Sequence, residues 1–260
     1  MLVRTWNVFH GNAVPRERRS YLKQMVRLAS EDGPDVLCLQ EIPAWALSRL
    51  ATWSGMTAAA VDVAARPPLG AWLGRWITRL DNARLRAAFA GQGNAILVAR
   101  HLDVLERKTI VLNPLRLRLD LARRLRLSPA AQVRWASERR ICQRVLVGAA
   151  GRAVVLANLH VSNHPDLRLR DAELERAFAF VGASQDPTVF AGDFNRSPAT
   201  SSVFRGLVAS GGFEAAGATI DHVLVRGAPA SDPLQWPEER RRVDGRLLSD
   251  HAPVEVDVDL

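Results

Sequence analysis

Thiols, lysines and tyrosines are scarce in this 260-residue chain, which has two cysteines, Cys38 and Cys142, one tyrosine, and lysine only as Lys23 and Lys108. Two cysteines build no disulfide framework, and neither a CxxC pair nor a Cys/His spacing of the zinc-site kind occurs. Both sit in apolar surroundings and read as small buried hydrophobes. No run approaches the roughly 18 uncharged apolar residues that a membrane span requires. The opening segment has no charged stretch followed by an apolar run and a small-residue cleavage site. Internal repeats and low-complexity linkers are also missing. Together these absences point to a soluble protein of a reducing compartment, the cytoplasm.

What is present is ordinary globular material: 48% hydrophobic and 24% charged residues, which excludes disorder, collagen-like repeats and coiled coil. The length suits one domain over 1–260 with a core large enough to hold a rigid site. The net charge of +8 points to a polyanionic partner, either nucleic acid or an acidic membrane surface. Nearly all of it is arginine, a bias that coding composition explains as readily as function, so charge alone does not choose between these partners.

Hydrophobic periodicity orders the chain as alternating strands and helices. Residues 2–8 read as a strand, 16–31 as a helix ended by Gly33-Pro34, and 35–40 as a buried strand. A second unit has strands at 142–147 and 153–159, a helix at 166–182 and a strand at 187–191. A helix near 199–210 and strands at 220–225 and 253–259 follow. This pattern implies a mixed α/β sandwich whose strands are covered on their outer faces. The stretch 66–137 is a variable, arginine-rich region. Within it, Leu69, Trp72, Leu73, Trp76, Ile77 and Leu80 predict a basic amphipathic helix over 69–89, and 94–99 reads as a strand. The alternation Leu115-Arg116-Leu117-Arg118-Leu119 fits strand and helix equally.

Several strands stop at polar residues with chemical capacity. Val189-Phe190-Ala191-Gly192 ends at Asp193, with Asn195 two positions on. If the backbone stays extended, acid and amide face the same way; an Asx-turn at a strand end is the plainer alternative. Cys38-Leu39-Gln40 ends at Glu41, and a carboxylate closing an apolar strand calls for a cationic partner. Ala157-Asn158-Leu159 ends at His160, Asp221 opens the strand Ile220-Asp221-His222-Val223, and Asp250-His251 precedes the last strand. Taken singly, each is as well explained by a surface turn or a solvated terminus.

Their order is informative. Thr-Trp-Asn7-Val, Leu-Gln-Glu41, Asn-Leu-His160, Gly-Asp193-Phe-Asn195, Ile-Asp221-His-Val and Ser-Asp250-His251-Ala-Pro-Val span residues 5 to 254. This series closely resembles the signature of the endonuclease/exonuclease/phosphatase family of the DNase I-like superfamily, and Glu138-Arg139-Arg140 is similar to the segment that brings an arginine to the substrate phosphate. The resemblance implies an α/β (α+β) fold, a four-layer sandwich of two packed mixed β-sheets flanked by α-helices, with the site where strand-end loops converge. It implies that Glu41 ligates Mg²⁺, for which Mn²⁺ substitutes, with Asn7 and Asp250 beside it. Asp193 would position or deprotonate the attacking water, and Asn195, Arg140 and His160 would hold the phosphate. Asp221 would hydrogen-bond His251 and favour its charged form. Two departures leave the number of metal ions open: His222 stands where many relatives have an aromatic residue, and His10 where some nucleases carry an acid.

The activity so implied is hydrolysis of phosphate esters by direct attack of water. Nucleic acid is the favoured substrate because of the arginine surplus. A phospholipid or a small phosphodiester is the alternative, with the 69–89 segment on an anionic membrane surface. A catalytically silent binding module is disfavoured, since clustered carboxylates repel one another without a cation.

Overall fold

The computed structural model describes residues 1–65, 72, 73, 75, 76, 80–82, 91–137, 139–149, 151–182, 184–214 and 220–260. One sheet orders six strands as Leu234–Gln235, Val254–Asp257, Leu2–Asn7, Val36–Ile42, Gln92–Val98 and Thr57–Ala65. The other orders five as Asp221–Arg226, Thr188–Asp193, Arg152–His160, Ile141–Ala149 and Asp103–Val111. Each sheet has one parallel pair, Leu2–Asn7 with Val36–Ile42 and Arg152–His160 with Thr188–Asp193; the other pairs are antiparallel. A parallel pair needs a crossover. The helices Leu22–Ser30 and Leu167–Val181 supply them.

Three apolar layers hold this arrangement. Between the sheets lie Val3, Val36, Ile96 and Val98 from one side and Val145, Val154, Leu156, Val189 and Val223 from the other. Outside the six-stranded sheet, Leu22, Met25, Val26 and Ala29 of the first helix cover Trp6, Leu37, Leu39 and Leu97. Outside the five-stranded sheet, Leu174, Ala177 and Val181 join Phe204 over Ala157, Leu159 and Phe190. Strand alternation sends neighbouring residues to different layers. Cys38 therefore lies in the central layer and Cys142 in an outer one, both as free thiols. Burial pushes Cys38 up to about 12 and raises Cys142 as well.

The sandwich matches the sequence expectation, with several differences of detail. The first helix starts at Leu22 and not near residue 16, because Ala13–Val14 is held extended against Leu247 and Leu248 in a small third sheet. The segment at 115–121 is a helix, Leu115–Arg124, which turns Leu121 onto Trp135 and Leu169. Strands Thr57–Ala65 and Asp103–Val111 were not foreseen. Both lie at sheet edges, where one row of backbone partners is missing and the sequence carries alanines or charges instead of an apolar alternation. Residues 92–111 of the arginine-rich stretch thus give one strand to each sheet. The helix expected over 69–89 falls mostly outside the described residues; Trp72 and Trp76, which are described, are exposed. No described helix is long and apolar enough to cross a membrane.

Candidate active site

Every second side chain of a strand faces the inter-sheet layer, and following those positions to the strand ends leads to the site. Val3 is followed on that face by Thr5 and Asn7, Val36 and Cys38 by Gln40, Leu156 by Asn158 and His160, and Val189 and Ala191 by Asp193. From the opposite direction, Val225 and Val223 lead back to Asp221. The layer therefore changes along its length from valines, through amides, to ionisable groups.

The amide level forms a hydrogen-bonded network. Gln40 donates to Asn158 Oδ1 at 2.7 Å and to Thr5 Oγ1 at 3.0 Å. Asn158 donates to the carbonyls of Leu39 and Ala95 and to Gln143 Oε1. These contacts pair most of the polar atoms buried at this level, Gln40 Oε1 excepted, and tie the two sheets together just below the site.

Glu41 breaks the alternation. As a neighbour of Gln40 it would turn outward, but the pairing with Gln92–Val98 shifts register between Leu39 and Ile42, and Glu41 takes a φ of 56°. Such a bulge re-aims a side chain. The Glu41 carboxylate comes to lie 3.3 Å from His10 Nε2 and 3.8 Å from His160 Nε2. Gly192 is a second backbone requirement. Its φ is 139°, and a Cβ there would sit 2.1 Å from the Leu159 carbonyl oxygen, so only glycine allows Asp193 to approach His160 this closely.

Asp193 is the centre of the ionisable level. Its Oδ2 accepts from Asn7 Nδ2 at 2.9 Å and lies 3.4 Å from His160 Nε2 and 4.0 Å from His251 Nε2; its Oδ1 accepts from the Asn195 backbone N–H. His251 Nδ1 meets Asp221 Oδ2 at 2.7 Å. Asp193, Asp221 and His251 offer ligand atoms within 4.8 Å of one another, a group that could hold a metal ion. Arg140 Nη1 lies 3.0 Å from His160 Nδ1. An arginine can only donate, so the proton of the neutral ring is on Nε2, facing Asp193 and Glu41.

The two imidazoles are driven in opposite directions. Burial, and next the Arg140 guanidinium, hold His160 well below its ordinary range, so it is neutral. Burial also opposes charge on His251, but the hydrogen bond and charge of Asp221, with help from Asp193 and Asp250, lift it to about 10. The carboxylates divide likewise. Burial and then Asp221 raise Asp193 well above the usual carboxylate range. Burial works the same way on Glu41, yet His10, His160, Arg140 and His251 outweigh it and bring Glu41 down to about 2.

All the candidate residues lie at or near strand ends, but the extended backbone considered for Asp193 and Asn195 needs correction. Asp193 and Asn195 do not share an extended backbone: the strand stops at Asp193, Asn195 has a φ of 48°, and an Asx-turn joins them. The Asn195 amide donates to the Val161 carbonyl at 2.9 Å. Asp221 and His251 meet, as the resemblance implies, and they come from different sheets. The strand after His251 belongs to the six-stranded sheet and that of Asp221 to the other, so the contact closes the end of the sandwich. Asp250 is exposed beside His251.

His222 is a core residue, edge-on to Phe194 and Phe204, with Nε2 3.0 Å from the Arg196 carbonyl oxygen. Glu138 falls outside the described residues. Supports unmarked in the sequence also emerge. Ser249 Oγ donates to the Asn7 carbonyl and accepts from the His251 N–H, and Arg241 donates to the carbonyls of Leu248, Ser249 and His251. His10, noted only as a departure from the family pattern, places Nε2 3.3 Å from the Glu41 carboxylate.

A model of the Endonuclease/Exonuclease/phosphatase family matches residues 5–251. No curated protein matches the chain. Among solved structures, a functionally unknown conserved protein from Enterococcus faecalis V583 is 17% identical, with a TM-score of 0.69 over 100% of this chain and 99% of that one. Danio rerio TDP2 complexed with single strand DNA product is 14% identical, with a TM-score of 0.63 over 100% and 99% of the two chains. A mannosyl-6-phosphatase from Bacteroides thetaiotaomicron VPI-5482 is 15% identical, with a TM-score of 0.64 over the whole of both chains. At these identities the likeness is one of fold.

Proposed function

Because the chain belongs to the endonuclease/exonuclease/phosphatase family, we propose that it is a Mg²⁺-dependent phosphodiesterase that cleaves phosphate esters by direct attack of water, with nucleic acid as substrate. The observation that carries this reading is the pairing of Asp193 with two imidazoles of opposite protonation, neutral His160 and charged His251.

Asp193, raised by burial towards neutral pH, accepts the proton of the attacking water, and the Asn7 amide and Asn195 N–H keep its oxygens aimed. The His251 imidazolium, held by Asp221, offers Nε2–H to a phosphate oxygen and to the charge that grows there in the transition state. Arg140 and the second amide hydrogen of Asn195 hold the remaining oxygens, and His160 presents its Nε2–H beside Asp193. No side chain needs to form a covalent intermediate.

Glu41, with Asn7 and Asp250 beside it, would hold Mg²⁺, or Mn²⁺ in its place. The donor set fits: Glu41, Asn7 and Asp250 offer oxygens, and both thiols are buried in apolar layers. A bound divalent cation would supply Lewis-acid stabilisation of the phosphoryl oxygens.

The net charge of +8 supports a nucleic-acid substrate, as does the single strand DNA product held by the Danio rerio relative. Exposed Trp72 and Trp76 favour a phospholipid as the second reading. Hydrolysis of bis-p-nitrophenyl phosphate, plasmid DNA, RNA and phospholipid vesicles with Mg²⁺, then with EDTA, tests the proposal. Activity is expected to vanish in EDTA, to return with Mg²⁺ or Mn²⁺, and on DNA to show a KM that rises steeply with salt as arginine contacts to phosphate are lost. Full activity in EDTA overturns the metal-dependent reading; a KM on DNA that ignores salt moves the substrate to the lipid or small-molecule class.

A further inference from the structure

Behind the site lies a buried carboxyl for which the reaction has no use. Glu173, on the Leu167–Val181 helix, has no exposed surface. Each of its oxygens accepts one N–H, Oε1 from Trp135 Nε1 at 2.6 Å and Oε2 from Ser162 N at 2.7 Å. A buried carboxyl is expensive to desolvate, and a leucine would fill the same helical position at no such cost. The two bonds connect segments that differ in origin, the helix pair of 115–137 and the loop that follows His160.

Each donor leads on to a group assigned to the phosphate. The Trp135 carbonyl accepts from Asn113 Nδ2 at 3.3 Å, Asn113 Oδ1 accepts from the Arg140 backbone N–H at 3.1 Å, and Arg140 Nη1 reaches His160 Nδ1 at 3.0 Å. On the other side, the residue before Ser162 is Val161, whose carbonyl accepts from Asn195 Nδ2 at 2.9 Å. We infer that Glu173 is a positioning residue, which fixes Arg140 and Asn195 relative to each other by tying Trp135 to the loop after His160. This inference rests on the assignment of Arg140 and Asn195 to the substrate phosphate. Misplacement of such groups by about 1 Å is enough to cost on the order of a hundredfold in rate.

Two variants act on the tie without emptying the core. Trp135→Phe removes one donor and keeps an aromatic ring. Glu173→Gln keeps the volume but sets an NH₂ against one of the two N–H donors. In the double variant that NH₂ faces a phenyl ring, and the remaining oxygen still accepts from Ser162. The first readout is the ¹⁵N resonance of His160 Nδ1 at fixed pH, without substrate or metal, which reports the hydrogen bond from Arg140. It is expected to move in both single variants. The second is kcat/KM on bis-p-nitrophenyl phosphate. Glu173→Gln should lose about tenfold or more, and the double variant should recover part of that loss. In an Arg140→Ala background Trp135→Phe should cost nothing further.

An unchanged His160 resonance in folded Trp135→Phe overturns the inference, as does an equal fold-loss with and without Arg140, which is what a purely structural defect gives. If Glu173→Gln fails to fold, Trp135→Phe decides. If the wild-type protein hydrolyses no phosphodiester, the functional reading falls, while the His160 resonance still decides whether the tie positions Arg140.

Discussion

In one half of the inter-sheet layer Val3, Val36, Val154 and Val189 face one another. Four residues further along the same strands stand Asn7, Gln40, Asn158 and Asp193. The backbone is continuous through both halves and the alternation is the same, so the difference lies only in which side chains fill equivalent positions. The apolar half holds the sheets together by burial, and the polar half inherits that rigidity. Charged groups in the polar half are aimed before any substrate arrives, which is what electrostatic stabilisation of a transition state requires. Substitutions in the two halves should therefore separate activity from stability.

The largest effect on activity is expected at the far polar end. His251→Ala and Asp221→Asn should each lower kcat by roughly 10²- to 10⁴-fold, and the double variant should be little worse than the poorer single one, since the two act as a unit. Multiplying losses would show that they do not. The dyad also carries a pH signature. His251 is raised from its ordinary 6.5 to about 10, so the stability this pair contributes is complete below pH 6.5 and disappears as pH rises through about 10. In Asp221→Asn the hydrogen bond and charge that raise His251 most are gone, and only Asp193 and Asp250 still oppose burial, so the alkaline fall in kcat should move down from near 10. An alkaline limb that stays in place would remove His251 as the charged group.

Glu41→Gln comes next. It exchanges a charged hard oxygen ligand for an amide, and calorimetric titration is expected to show clearly weaker Mg²⁺ binding in a protein with an unchanged circular dichroism spectrum. Unaltered affinity would take Glu41 out of the ligand set. The middle of the layer should respond in both respects. Asn158→Leu takes one acceptor from the Gln40 amide and the side-chain donor from Gln143 Oε1 and the carbonyls of Leu39 and Ala95, at a cost of about 1–3 kcal/mol for a buried group left unpaired, with a partial loss of activity as the platform under Asn7 and His160 loosens. Leu156→Ala, in the apolar half, should lower stability by about 2–5 kcal/mol through its cavity, while kcat measured well below the melting temperature stays within about twofold. A kcat loss at Leu156 as large as that at Asp221 would dissolve the distinction between the halves.

The parts of this design that are local in sequence were legible there. Strand-terminal residues, the order of the motifs and the two crossover helices all follow from alternation and spacing. The edge strands Thr57–Ala65 and Asp103–Val111 escaped because half-exposed edges need no apolar alternation. Two features of the site depend on what one sequence does not encode locally. The bulge that turns Glu41 inward is set by pairing with a strand some fifty residues away, and the Asp221–His251 contact by the closure of one sheet on the other. The left-handed Asn195, by contrast, follows from its own local turn onto Asp193. His10, Trp135 and Glu173 carry no motif, and their roles appear only once distant segments are side by side.

Direct attack of water on the phosphorus is the central claim, and isotope transfer tests it without reference to the natural substrate. With enzyme in excess over bis-p-nitrophenyl phosphate, Mg²⁺ present and the solvent enriched in H₂¹⁸O, a single turnover should place one ¹⁸O in the p-nitrophenyl phosphate product and none in the protein. A product without label, with the ¹⁸O retained in a carboxylate of the protein, would mean that a side-chain oxygen attacks first, and would contradict the role given to Asp193.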